Sequence, residues 1–216
     1  MTDRTRRSYD LVADRYAEEL GDELRHKPLD RALLGAFAEL VHEGTVADIG
    51  CGPGQVAAHL ASRGSRVIGL DLSTAMCAAV RRRTSLPACA ADMTALPLRA
   101  AALDGLVCLY ATIHLDDGQR AAAYREFARV LRPGAYALLS FHVSDPDFPD
   151  GGVKTLGTWW GRDVDLDFRF LDPDAEVSAS RAAGFDLVAR LDRGPHPGFE
   201  HPSQRCTLLV RRATST

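Results

Sequence analysis

Asp48-Ile49-Gly50-Cys51-Gly52-Pro53-Gly54 sets an acid two residues ahead of alternating glycines. Glycines in such a run let backbone approach a ligand closely. The dinucleotide fingerprint spaces them G-x-G-x-x-G. Counted from Gly50, its third glycine falls at position 55, where the chain has Gln55. A carboxylate at 48 is also badly placed beside a pyrophosphate and well placed beside a cation. Two more acids follow, Asp71 in Gly69-Leu70-Asp71-Leu72-Ser73 and Asp92 in Ala91-Asp92-Met93-Thr94. A carboxylate at 71 can accept from both hydroxyls of a ribose, as it does in dinucleotide folds. Asp92 either meets a ligand or caps a turn. The segment from Val107 to Leu115 carries Tyr110 and His114. A neutral imidazole at 114 can take a proton from a hydroxyl or amine, or it can be a structural residue bound to backbone.

These residues need a scaffold that brings them to one edge. Tyr9, Val12, Ala13, Tyr16, Ala17 and Leu20 share a helical face, and Pro28 opens a second helix reaching about His42. From residue 45 the pattern alternates strand and helix. Strands are predicted at 45–49, 66–70, 87–91, 103–110 and 135–141, with helices at 54–63, 73–83 and 116–131 between them. That alternation predicts parallel strands joined by crossover helices, an α/β doubly wound sheet, whose ligands gather where strand carboxyl ends meet helix N-termini. Residues 143–171, rich in Gly and Pro and holding Trp159 and Trp160, are expected to be an irregular insertion or lid. Asp172-Pro173 starts a further helix, and 185–191 and 204–211 alternate like strands.

Composition narrows the field. The chain has 216 residues, a net charge of −3 and a hydrophobic fraction of 46%, within the range of one globular domain. The slight acidity disfavours a broad nucleic-acid face. The five cysteines show no C-x-x-C pair, so free thiols in a reducing cytoplasm are expected. No apolar run reaches the ~18 residues of a membrane span.

The glycine loop with its preceding acid, followed by Asp71 and Asp92, closely resembles the class I S-adenosylmethionine (SAM) dependent methyltransferases, small-molecule type. The match covers residues 8–142 well. The resemblance implies a seven-stranded, mostly parallel doubly wound sheet with an antiparallel last strand and an N-terminal helical lid. It divides a single domain, 1–216, into a lid (1–43), a SAM-binding core (44–142), an insertion capping the acceptor (143–171), and a helix with closing hairpin (172–216). The implied cofactor is SAM, with S-adenosylhomocysteine (SAH) as product. Asp48 would reach its ammonium, and Gly50, Cys51, Gly52 and Gly54 would wrap methionine and ribose. Asp71 would take the ribose hydroxyls and Leu72 would pack on adenine. Asp92 and Met93 would meet the adenine edge, Tyr110 would lie beside the methionine part, and Tyr16 would close over the carboxylate. Lys27 either pairs with that carboxylate or is an exposed lysine. His114 is the candidate general base.

Phe141, His142, Trp159, Trp160 and Phe168 are expected to wall an acceptor pocket for a small, aromatic or apolar molecule. Leu109-Tyr110-Ala111-Thr112 stands where DNA amino- and protein glutamine methyltransferases carry Asn/Asp-Pro-Pro-Tyr/Phe. No metal, nucleic-acid or membrane partner is expected, and the chain should be a cytoplasmic monomer or homodimer. Two other readings stay open: a SAM-fold protein catalysing another reaction such as a cyclisation, and an NAD(P)-dependent oxidoreductase.

Overall fold

The computed structural model describes residues 3–214; the outermost residues of the expected lid and closing hairpin (1, 2, 215 and 216) lie outside it. Helix α1 (Asp3–Leu20) is followed by a short 3-10 turn (Glu23–His26) and α2 (Pro28–Val41). The alternating core runs β1 (Thr45–Ile49), α3 (Gln55–Ala61), β2 (Arg66–Asp71), α4 (Thr74–Thr84), β3 (Ala88–Ala90), β4 (Leu103–Leu109), α5 (Asp117–Val130) and β5 (Leu131–Ser144). A hairpin of β6 (Gly152–Trp159) and β7 (Arg162–Phe170) comes next, then α6 (Pro173–Ala182), β8 (Phe185–Arg193) and β9 (Gln204–Arg212).

Seven strands form one sheet in the order β3-β2-β1-β4-β5-β9-β8. The first five are parallel, and β9 enters antiparallel between β5 and β8. The expected topology is thus the observed one. Both faces of the central strands are covered, as parallel sheets require. Val46 and Val107 pack with Leu34, Phe37 and Leu60 on one side. Ala47, Leu106 and Cys108 pack with Tyr124, Phe127 and Phe141 on the other. The helix starts are where side-chain oxygens can take orphan backbone N–H groups. Ser73 Oγ accepts from Met76 N–H at 3.1 Å. Asp116 and Gln119 form a reciprocal capping box, and Asp172 accepts from Asp174 N–H at 2.8 Å.

The insertion differs from its sequence reading. Its prolines are confined to the turn before β6, and the rest is an ordered antiparallel pair. In β7 the residues Val164, Leu166 and Phe170 face inward, with Asp163 and Asp165 outward, a period of two that the surrounding glycines obscured. One of those glycines, Gly157, sits at the register shift of a bulge. Helix α1 bridges the two halves of the molecule, lying against α4 on one side and β7 on the other. No helix among the described residues is long and apolar enough to cross a membrane.

Candidate functional site

The carboxyl ends of β1, β2 and β4 converge on a cavity of about 100 Å³ floored by the glycine loop. Gly50 is forced by geometry: its φ is +67°, and a Cβ there would fall 2.3 Å from Ala111 Cβ. Of the two acids behind the loop Asp48 is buried and Asp71 half-buried, and neither is paired with a basic side chain among the described residues. Asp71 accepts from Gly52 N–H at 2.9 Å and Ser73 N–H at 2.8 Å. Burial still outweighs these bonds and pushes its carboxyl up to about 6. Asp48 is 2% exposed. Burial, with the repulsion of Asp71, pushes it up to about 7, against one stabilising backbone N–H from Ala57. Its Oδ2 is buried without a hydrogen-bond partner. A buried, unpartnered carboxylate oxygen is a costly arrangement that an ammonium or sulfonium group relieves. The residues therefore fit a cationic nucleoside such as SAM: Asp48 for positive charge, Asp71 for ribose hydroxyls, Leu72 and Met93 for apolar ring surface.

Helix α1 closes this cavity from above. Asp10 reaches the start of α4, accepting from Ser73 Oγ at 2.6 Å and Ala75 N–H at 3.2 Å. Tyr16 lines the cavity, close above Gly52. Tyr9 meets His114: the hydroxyl is 2.7 Å from Nε2. The other ring nitrogen, Nδ1, is 2.8 Å from the backbone carbonyl of Asp167 in β7. A carbonyl only accepts, so Nδ1 carries the proton and Nε2 accepts from Tyr9 O–H. Burial holds the His114 pKa down to about 4, so the imidazole is neutral. Tyr9 and the Asp167 carbonyl escaped sequence reasoning because the contacts join segments far apart in the chain.

A second cavity of about 440 Å³ adjoins the first and shares Tyr9, Tyr16, Glu23, Lys27 and Tyr110 with it. Trp159, Trp160 and Phe168 line it as expected, joined by Phe170. Trp160 has a φ of +48° and Gly161 one of +72°. This positive-φ turn holds the two indoles stacked, with centroids 4.5 Å apart. Tyr110, also at positive φ (+57°), stacks on His142 at 4.9 Å beneath the ammonium of Lys27 at 5.7 Å. Backbone in this region is strained for a non-glycine residue; here it turns the Tyr110 ring onto both cavities. Lys27 is nearly buried, paired with Glu23 at 2.7 Å and Glu200 at 3.4 Å.

Three expected site residues are not on these walls. Phe141 is fully buried against the α5 face; neighbouring strand residues alternate sides, so His142 faces the cavity and Phe141 cannot. Gly54 lies behind the loop, where a Cβ would press on Val80 at 3.1 Å; helix packing explains it. Asp92 holds a turn, accepting from the N–H and hydroxyl of Thr94 at 2.9 and 2.8 Å, and Ala91 and Met93 line the cavity in its place. All five cysteines are unpaired, and Cys51 lines the cofactor cavity.

Comparison with known proteins follows the same division. Residues 46–134 match the model of a methyltransferase domain family. An O-methyltransferase of Pyrenophora dematioidea is 32% identical over 113 residues, covering 49% of this chain and 42% of its own. The trans-aconitate 2-methyltransferase of Paracidovorax citrulli is 28% identical over 205 residues, covering 88% of this chain and 72% of its own. Several other curated relatives are matched over only 19% to 50% of their length. Among solved structures, the Burkholderia thailandensis 1,6-didemethyltoxoflavin-N1-methyltransferase, with its acceptor and SAH bound, superposes with a TM-score of 0.71. The superposition covers 99% of this chain and 92% of that one at 19% identity, a likeness of fold.

Proposed function

We propose that the chain, whose residues 46–134 match a methyltransferase domain family, is a class I SAM-dependent methyltransferase that methylates an oxygen, nitrogen or carbon of a small molecule held in the aromatic cavity. One observation carries the reading: the glycine-loop cavity adjoins, across Tyr9, Tyr16 and Tyr110, a second cavity of about 440 Å³. That volume suits a small molecule. Aromatic faces on its wall favour a planar acceptor. The names of two similar proteins support this reading, since trans-aconitate and 1,6-didemethyltoxoflavin are small molecules, whereas another relative is named for a tRNA substrate.

The cofactor supplies an electrophilic methyl group on its sulfonium. The protein's part is to hold, align and dry. Asp48 and Asp71 would hold the cofactor at the β1–β2 edge, and α1 with the β6–β7 hairpin would exclude water. Much of the rate in such a displacement comes from alignment. Where the acceptor atom carries a proton, Tyr9 O–H is the group that meets it, and His114 Nε2 is the base behind Tyr9. The tyrosine takes the acceptor's proton as it gives its own to Nε2. The Asp167 carbonyl fixes the tautomer that makes this transfer possible.

Incubation with methyl-labelled SAM and a panel of small planar acceptors tests the reading. Label in the small-molecule fraction is the expected result. Label found only in added RNA or protein would overturn it.

A further inference from the structure

The acceptor cavity has a polar end, made by residues that the cofactor cavity lacks: Arg205 on β9, His201 in the loop before it, and Lys154 on β6. The Arg205 side chain is 4% exposed. Its terminal nitrogens donate to the carbonyls of Ser203 at 2.7 Å and His201 at 3.1 Å. Its Nε is buried and donates to nothing. The nearest carboxylate, Glu200, is 3.5 Å away. Glu200 is already held from behind by Arg193 at 2.7 and 3.1 Å and by His196 N–H at 2.7 Å. Asp145 is likewise occupied, taking Lys154 at 3.2 Å and His201 at 3.0 Å on the same oxygen.

The anions at this end are therefore saturated, and the Arg205 Nε N–H faces one of them, Glu200, at 3.5 Å without forming a hydrogen bond. A buried donor without a partner is unfavourable, and a guanidinium favours planar oxyanions over other acceptors. A neighbouring group reports the same local field. Burial, then the positive charges of Arg205 and Lys27, lower the His142 imidazole to about 3, against the opposing charge of Glu200.

We infer that the methyl acceptor carries a carboxylate, which Arg205 and Lys154 receive while its planar body lies against Trp159 and Phe168. The inference rests on the reading of this cavity as the acceptor site. It also assigns the carboxylate a place. The polar end is away from the glycine loop, so the carboxylate orients the molecule and the reacting atom lies among Tyr9, Tyr16 and Tyr110.

Trp159 and Trp160 are the only tryptophans in the chain, so their fluorescence reads this cavity without any turnover. SAH-saturated protein is titrated with benzoate and phenylacetate and, separately, with benzamide and phenylacetamide. The acids are expected to bind about tenfold more tightly than their amides, the scale of one charged hydrogen bond. Arg205→Gln should abolish the preference. Lys154→Gln, on a side chain 32% exposed and so tolerant of replacement, should reduce it about threefold. Amides that match the acids, acids that do not bind, or a preference that survives both substitutions overturns the inference. Calorimetric titration of the same preparations with SAH reads the premise separately. Intact SAH binding without acid preference strikes the inference alone, and absent SAH binding strikes the methyltransferase reading.

Discussion

The two cavities are built on opposite principles. The cofactor cavity is made at the ends of β1, β2 and β4 from backbone N–H groups, glycines and two acids, and it offers negative charge to a cation. The second cavity is made of side chains from α1, the β6–β7 hairpin, β5 and the loop before β9, and it offers aromatic faces and the cationic groups of Lys154 and Arg205. Rigid strand ends set the first. The second depends on how separate segments dock, with positive-φ residues such as Trp160 holding the aromatic wall in place. A fold of this kind can keep its cofactor chemistry while its acceptor wall varies, because the linings of the two cavities share only Tyr9, Tyr16, Glu23, Lys27 and Tyr110.

The sharpest way to break this division is at the seam. His114 lines the cofactor cavity, yet its tautomer is set by the hairpin carbonyl of Asp167. If its role is proton transfer, His114→Ala lowers kcat by about 100-fold, as loss of a general base does, with SAH affinity unchanged. Tyr9→Phe should reproduce the loss. Full turnover by either variant, measured with labelled SAM, removes the relay. A parallel loss of SAH affinity would instead make His114 a support of the cofactor cavity.

Asp71→Ala confines the damage to one side. Its carboxylate accepts two backbone N–H groups and is proposed to accept the ribose hydroxyls as well. SAH affinity should fall by about 10- to 100-fold, the scale of charged hydrogen bonds, while the acid-over-amide preference persists. Unchanged calorimetric affinity would contradict the ribose role.

The same contrast explains what the sequence made legible. Asp48, Gly50, Gly52 and Asp71 lie in short local motifs whose spacing is set by a strand, a turn and a helix, so their chemistry could be read in order along the chain. The parallel strands followed from the alternation of strand and helix, and the antiparallel last strand from the family resemblance. The acceptor side has no such shorthand. Tyr9 and His114 are 105 positions apart, and Arg205 acquires its meaning from Glu200, Ser203 and His201 packed around it. Phe141 was misplaced by one position because period-two alternation within a strand fixes faces only once the register is known. Lys27, which composition would leave in solvent, is buried because Glu23 and Glu200 accompany it.

A smaller effect distinguishes the two sides by pH. With its pKa near 7 against an ordinary 3.8, Asp48 holds a proton in the folded, ligand-free protein that the unfolded chain has lost. Its contribution to stability is therefore present at low pH and declines as pH rises through that window. A ligand ammonium favours the ionised form, so cofactor binding releases the proton and tightens as pH rises. The thermal shift produced by SAH should be larger at about pH 8 than at about pH 5.5. Asp48→Asn should flatten this dependence and raise the stability of the ligand-free protein at the higher pH. An equal shift at both values would mean that Asp48 is not the group facing the ammonium.

The smallest effect concerns the helix that covers both cavities. On the hairpin side α1 is tied by Arg4 to Asp165 at 2.8 Å and Asp167 at 2.5 Å. On the other side Asp10 accepts from Ser73 and Ala75 at the start of α4. Arg4 is 43% exposed, so its pairs are worth at most about 1 kcal/mol and are screened by salt. Asp10 is more sheltered, and its bonds cap a helix. If α1 is the shared roof, loosening the hairpin side should disturb the acceptor before the cofactor. Arg4→Gln is therefore expected to raise the acceptor KM by about threefold at low ionic strength, with the difference vanishing in salt and SAH affinity unmoved. Asp10→Ala should act in the opposite order, weakening SAH first. Equal effects of the two substitutions on both ligands would mean that the roof moves as one piece and that the two cavities are not independently closed.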